Sequence, residues 1–387
     1  MVIFIYGTTG ELIKLLPLVN AIPKNEQMHV LTNQQPYKVR EFAKQIEGYE
    51  EIEKIQVGNG FRGNDIHSMP QMLYWCFGLV RGVFHSKFRK KIRALKAKEE
   101  LIGLVHGDTN TTVVGCVLGR FAGIRVGHVE AGLRSGSLKH PFPEELNRRI
   151  AAKFCRVHFP PGKAALEALQ KERVKGDIVF TEANTACDSI KWALSRAKDT
   201  AGKSLESEAV RSLQGKRYAI ASIHRTELLY GAGAKERVGS FLDKLTELSK
   251  DMEIAFVDYP TTSVVIESLG LSSKMSSITR IPKQDYANMI RLLSGAQYIL
   301  TDSGGFQEDS YYLGVPCVVH RMRTERDEGL GTSAELDYYD LTKVDTLLEQ
   351  LMSNKPKRLL AKFKPTAIIC TYLLDKNYIS TFTAPEA

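Results

Sequence analysis

Short apolar runs rich in β-branched residues alternate with longer helical stretches along the whole chain, and turn residues bound each run. In the first half the runs are 2–6, 29–32, 52–57, 101–106, 125–129 and 157–159; in the second they are 178–180, 218–223, 253–257, 277–281, 298–301 and 316–319. Strands that alternate with helices pair in parallel through right-handed crossovers, and the helices cover both faces of the sheet. The pattern therefore predicts an α/β fold and excludes a sandwich built from hairpins. Two similar series within 387 residues predict two Rossmann-like domains with a cleft between them. The first is expected over 1–172 and the second over 173–366, with the apolar segment in 367–387 returning as a helix to the first.

Charge and cysteine usage narrow the function classes. The chain has 53 basic and 44 acidic side chains, a formal charge of +9. Much of the excess lies in 87–98, with Lys87, Arg89, Lys90, Lys91, Arg93, Lys96 and Lys98, but the lone Phe88 among them makes no aromatic-interleaved motif and no groove-reading motif accompanies it. It reads as a solvated helix face, so neither nucleic acid nor membrane is expected as a partner. Six cysteines, widely spaced and without a CxxC pair, read as reduced core residues and not as metal ligands. The apolar run 73–84 is too short to span a bilayer and is broken by Arg81. The start lacks the basic flank and cleavage site of a signal peptide, so a cytosolic location is expected.

Four stretches concentrate polar chemistry at predicted strand ends. Tyr6-Gly7-Thr8-Thr9-Gly10-Glu11 opens a helix after the first strand, where backbone N–H groups and the helix dipole favour an anion; it is neither a GxGxxG nor a Walker loop, and a plain tight βα turn is the equal alternative. Thr301-Asp302-Ser303-Gly304-Gly305-Phe306-Gln307-Glu308-Asp309 repeats that arrangement in the second half; its glycines admit a diphosphate, and Glu308 or Asp309 lies within reach of ribose hydroxyls. Ile223-His224-Arg225-Thr226-Glu227 brings a His and an Arg to another strand end, suited to neutralising a leaving diphosphate. The stretch 105–150 holds Asp108, Glu130, Arg134, Glu144 and Arg148. Glu144 and Arg148 are four apart on a predicted helix and share a face, as a plain surface ion pair also would.

In their order and spacing these pieces resemble the non-hydrolysing UDP-N-acetylglucosamine 2-epimerase family: HGDTNTT from His106, GHVEAGLRSG from Gly127, PFPEELNRR from Pro141, IHRTE from Ile223, DSGGFQED from Asp302 and TER from Thr324. The resemblance spans most of the chain and implies a fold of the GT-B type. It implies inversion at C2 of a UDP-2-acetamido sugar by anti-elimination of UDP and re-addition, without NAD or metal, in a homodimer. By the same resemblance Asp108, Glu130, Glu144, Arg148 and His224 form the catalytic set. Lys14, Arg134, Ser303, Gly304, Gly305, Glu308 and Asp309 form the substrate-binding set.

The chain also departs from the family pattern. Thr9 stands where the first turn usually has an Arg, Asp309 where Glu is usual, and Tyr259 where many members have a His. A relative acting on a modified UDP-2-acetamido sugar, a hydrolysing epimerase, a GT-B glycosyltransferase and a silent sugar-nucleotide sensor therefore stay open as alternatives.

Overall fold

The computed structural model describes residues 1–66, 68–83, 86–136, 143–199, 207–354 and 356–385. Pro141 and Phe142 of the PFPEE motif, and 200–206 of a polar run, lie outside the described residues. The chain forms two compact units, Met1–Ser189 with Phe363–Ala387, and Ile190–Lys362.

The first unit is built on seven parallel strands: β1 (Val2–Tyr6), β2 (Gln27–Leu31), β3 (Glu53–Gln56), β4 (Ile102–His106), β5 (Arg125–Val129), β6 (Val157–Phe159) and β7 (Asp177–Ile178). Their order is β3-β2-β1-β4-β5-β6-β7. Every residue of β1 and β4 is buried, as expected of strands covered by helices on both faces. Ile3, Ile5, Val105 and Cys116 belong to one core cluster that joins the sheet to the helix Asn110–Ala122. That helix sits close because Gly115 faces the sheet: a Cβ there would lie 2.5 Å from Val105 Cγ1.

The second unit has six parallel strands, β8 (Tyr218–Ser222), β9 (Glu253–Asp258), β10 (Thr279–Pro282), β11 (Ile299–Thr301), β12 (Cys317–Val319) and β13 (Ala334–Leu336), in the order β10-β9-β8-β11-β12-β13. Both units are thus Rossmann-like, and in each the strand order reverses once, between β1 and β4 and between β8 and β11. Loops at the C-terminal ends of strands beside such a reversal are where open α/β sheets bind ligands.

Three features differ from the sequence expectation. Residues near 178–180 do not open the second sheet: β7 pairs with β6, Val157 opposite Asp177 and His158 opposite Ile178, and so closes the first. The units divide after Ser189, because the start of the helix Ala186–Asp199 is still tied to the first unit through Ser189 Oγ donating to Ile13 O at 2.8 Å. Strand β13 was not foreseen; Ala334-Glu335-Leu336 is too short and mixed to register as an apolar run. The helix Pro365–Asp375 packs against the helix Thr9–Ala21 of the first unit, where Thr366 N donates to Asp188 Oδ2 at 3.0 Å.

Candidate active site

In the first unit the polar groups gather at the ends of β1, β4 and β5. His106 is paired in register with Val129, so Asp108 and Glu130 leave neighbouring strands almost side by side. The turn between is held by two bonds: Gly107 N donates to Val129 O at 3.0 Å, and His128 Nε2 donates to Gly107 O at 2.7 Å. Burial first, moderated by that carbonyl, pushes His128 down to about 4, so it is a neutral strut.

Glu130 is buried and adopts φ +67°, a left-handed backbone that costs a residue with a side chain about 1 kcal/mol or more. Its Oε2 accepts from Lys14 Nζ at 2.6 Å and from the Asn184 amide. Asp108 is gripped by the buried Arg148 guanidinium, whose other arm lies 3.4 Å from Glu145 Oε2. Arg148 thus reaches across from the helix Glu144–Phe154, and Asn147 of that helix donates to Asp108 O at 2.9 Å. The fully buried Glu145 also accepts from Ser135 N at 3.1 Å and Arg149 Nε at 3.1 Å, fixing the helix that Glu144 begins. Arg134 closes a two-bonded fork on Glu172 at 2.8 and 2.7 Å, which holds the Glu172 carboxyl below its ordinary range.

The turn after β1 is not an open anion cradle. Glu11 Oε2 takes the donors that a phosphate would use, Gly7 N and Thr8 N, each at 2.9 Å, in a capping box. Glu11 Oε1 also accepts from Thr109 Oγ1 at 2.5 Å, tying the β1 and β4 loops together. Thr9 N lies 3.4 Å from Gln35 Oε1. The carboxylate supplies the negative charge from within the chain, so of the two readings of this turn the plain capped βα turn is the one the hydrogen bonds favour. Burial outweighs those donors and leaves the Glu11 pKa raised.

In the second unit the site lies at the ends of adjacent strands β8 and β11, Ser222 opposite Thr301. Asp302 is fully buried; its Oδ2 accepts from His224 N and Arg225 N, both at 2.8 Å, and its Oδ1 lies 3.0 Å from His224 Nδ1. Burial pushes the Asp302 carboxyl up, but the ring and the two backbone donors outweigh it and hold it low. The Asp302 carboxylate thus sets its charge against the Nδ1 edge of the His224 ring and leaves the Nε2 edge turned away from it. Tyr259 packs on the His224 ring at 5.1 Å; burial and the charges of Asp302 and Asp309 push its phenol up to about 12.

Ser303 caps the helix Gly304–Leu313, its Oγ accepting from Phe306 N at 3.3 Å. A Cβ on Gly304 would lie 3.3 Å from Glu325 Oε1 and 3.6 Å from both Arg321 Nη1 and Arg326 Nε. Two guanidinium groups therefore flank a helix N-terminus whose first residues carry no bulk. Arg321 Nη1 is buried and finds no partner among the described residues. Gln307 clamps the loop that brings these cations, donating to Arg326 O at 3.2 Å and Glu328 O at 3.1 Å and accepting from Thr324 Oγ1 at 2.8 Å. Glu308 is buried 3.0 Å from Arg326 Nη1, and Asp309 beside it is half-buried. Burial and the neighbouring Glu308 push Glu328 up to about 8.

The arrangement assembles carboxylates with their counter-cations in one unit and an anion-seeking turn with a carboxylate-backed His in the other. Residues 89–357 match the family model described as UDP-N-acetylglucosamine 2-epimerase. The chain belongs to the UDP-N-acetylglucosamine 2-epimerase family. A probable UDP-N-acetylglucosamine 2-epimerase of Ralstonia solanacearum is 30% identical over 335 residues, 85% of this chain and 84% of that one. The solved UDP-GlcNAc 2-epimerase of Neisseria meningitidis, bound to UDP-GlcNAc, is 26% identical with a TM-score of 0.72, covering 97% of this chain and 99% of that one. The Methanocaldococcus jannaschii UDP-GlcNAc 2-epimerase, solved with UDP-GlcNAc and UDP, shares the fold at 24% identity and a TM-score of 0.72, covering 97% and 99%. The fold is of the GT-B type. Among the described residues no helix is long and apolar enough to cross a membrane, and no three His, Cys, Asp or Glu side chains form a metal-binding group.

Sequence reasoning missed the residues that hold the expected ones in place: Glu145, Asn147, Asn184, Asp302, Arg321 and Arg326. Asp302 was the most accessible of these, since it immediately precedes a Gly-rich helix start beside a strand that ends in His.

Proposed function

We propose that the chain interconverts UDP-GlcNAc and UDP-ManNAc. A carboxylate of the Asp108, Glu130 and Glu144 set takes the C2 proton. The C2–H electron pair forms the C1–C2 double bond of 2-acetamidoglucal, and the C1–O bond breaks to release UDP. In the return step a UDP phosphate oxygen attacks C1, and an acid of the same set delivers a proton to the other face of C2. The C2 proton is weakly acidic, so elimination also needs positive charge and hydrogen bonds on the departing diphosphate. His224, Ser303, Gly304 and Gly305 supply these, joined by Arg321 and Arg326; Asp309 takes the ribose. Lys14 sets the charge around Glu130, and Arg148 that around Asp108. Glu308 acts by holding Arg326, while Arg134, committed to Glu172, has no direct role in this scheme.

The observation that carries the reading is the buried Asp302 behind His224, at the mouth of the Ser303 turn. It is tested by incubating the protein with UDP-GlcNAc in deuterated water and following the products by NMR. UDP-ManNAc and deuterium at C2 are expected; absence of both overturns the substrate assignment, and accumulation of free sugar shows a hydrolysing enzyme. A modified UDP-2-acetamido sugar is the second reading, favoured by Thr9, whose buried hydroxyl has no partner among the described residues. The reading extends to a cytosolic homodimer supplying surface-polysaccharide synthesis, on family resemblance; light scattering checks the dimer.

A further inference from the structure

Asn184 lies in the first unit, two residues before the helix Ala186–Asp199, and is 2% exposed. Its amide orientation is settled by its neighbours. Oδ1 accepts from Ala186 N at 3.2 Å and lies 3.4 Å from Thr185 Oγ1, so the Nδ2 edge is the one turned to Glu130. That edge donates to Glu130 Oε2, the oxygen that also takes Lys14 Nζ. Two donors on one oxygen, one charged and one neutral, stabilise the ionised carboxylate over the acid and pin its plane. The other oxygen, Oε1, lies 3.5 Å from the place where a Gly107 side chain would begin, toward the β4 loop that carries Asp108.

We propose that Asn184 is a positioning residue that keeps Glu130 ionised and aimed for proton transfer at C2. The inference rests on the epimerase reading. The contact spans 54 residues of sequence and joins the loop before one helix to the strained residue that follows β5. An amide suits this place because it donates without adding charge. An Asp there would set two carboxylates edge to edge, and one of them would have to take up a proton.

The test compares wild type with Asn184→Ala and Asn184→Asp in kcat, KM and the pH dependence of kcat/KM on UDP-GlcNAc, with UDP affinity and thermal melting as controls. N184A is expected to lower kcat about tenfold or more while UDP affinity stays within about twofold, the split of a residue that orients a proton-transfer group. N184D, close in shape to the native side chain, is expected to move the acid limb of the profile up by about one pH unit or more. N184A is expected to move it less. Wild-type kcat and an unmoved acid limb in folded variants overturn the inference. The Glu130 carboxyl 13C signal, assigned with Glu130→Gln, provides a readout that needs no turnover. An upward shift of its titration in N184D supports the inference and an unchanged one overturns it. If wild type exchanges no C2 proton, the epimerase reading fails on its own, and this titration still decides whether Asn184 governs the charge on Glu130.

Discussion

Replacing Asp302 by Asn isolates what the buried carboxylate does for His224. The native side chain accepts two backbone N–H groups at 2.8 Å on one oxygen and faces His224 Nδ1 at 3.0 Å with the other. An Asn can keep the first pair on its carbonyl oxygen, so the turn that leads into Arg225 survives. Its NH2 then faces Nδ1 in place of a carboxylate oxygen, so the ring loses its charged neighbour and Nδ1 must accept. Loss of a charged neighbour at this distance is expected to cost about 2 kcal/mol, equivalent to a roughly 30-fold weaker Kd for UDP. Calorimetric titration of UDP into wild type and D302N measures this directly, and circular dichroism confirms the fold. The native Asp302 pKa is lowered, so its stabilising contribution is present above the unfolded value of 3.8 and is lost as pH falls through the lower folded value. Melting temperatures of wild type and D302N should therefore converge in strong acid. A UDP affinity within twofold of wild type, in a folded D302N, refutes the assignment of His224 to the diphosphate.

Glu130→Gln should remove C2 deuterium exchange while leaving UDP affinity within about twofold, because the proposed scheme places Glu130 in the proton-transfer set and not in the UDP set; loss of UDP binding with exchange per bound complex intact would refute that division. Glu328→Gln tests the raised carboxyl. A folded pKa of about 8 against 4.5 unfolded means that wild-type stability declines as pH rises through that window and levels off above it. E328Q should flatten the melting temperature between those limits, and an unchanged slope would show that Glu328 is ionised throughout.

Much of the architecture was legible because parallel strands, buried on both faces, read as uninterrupted apolar runs; β1, β4 and β8 are such cases. Strands β7 and β13 were harder to read. Two or three residues with a charge among them carry no periodicity, and only pairing with β6 or β12 defines them. Among the candidate site residues, Asp108, Glu130, His224 and Ser303 could be found because they punctuate strand ends. Their supports lie far away in sequence, Asn184 being 54 residues beyond Glu130 and Asp302 78 beyond His224, and no local pattern links such partners. The Gly7–Glu11 turn was ambiguous in sequence for a different reason. The signature of an anion-binding helix start is also that of a capping box when a Glu follows three residues after a Thr.

The return of the last segment to the first unit has a consequence for synthesis. The second unit is a continuous stretch inserted into a discontinuous one, so on the ribosome it can fold before the first is complete. Asp188 waits for Thr366, and Glu26 waits for Ser380, whose backbone N–H it accepts at 2.9 Å across 354 residues. Until those last residues emerge, the helix that bears Lys14 lacks its outer packing partner. The carboxylate cluster of the first unit is thus encoded early and finished late, and a ribosome stalled before residue 363 would carry a folded second unit and an unfinished first.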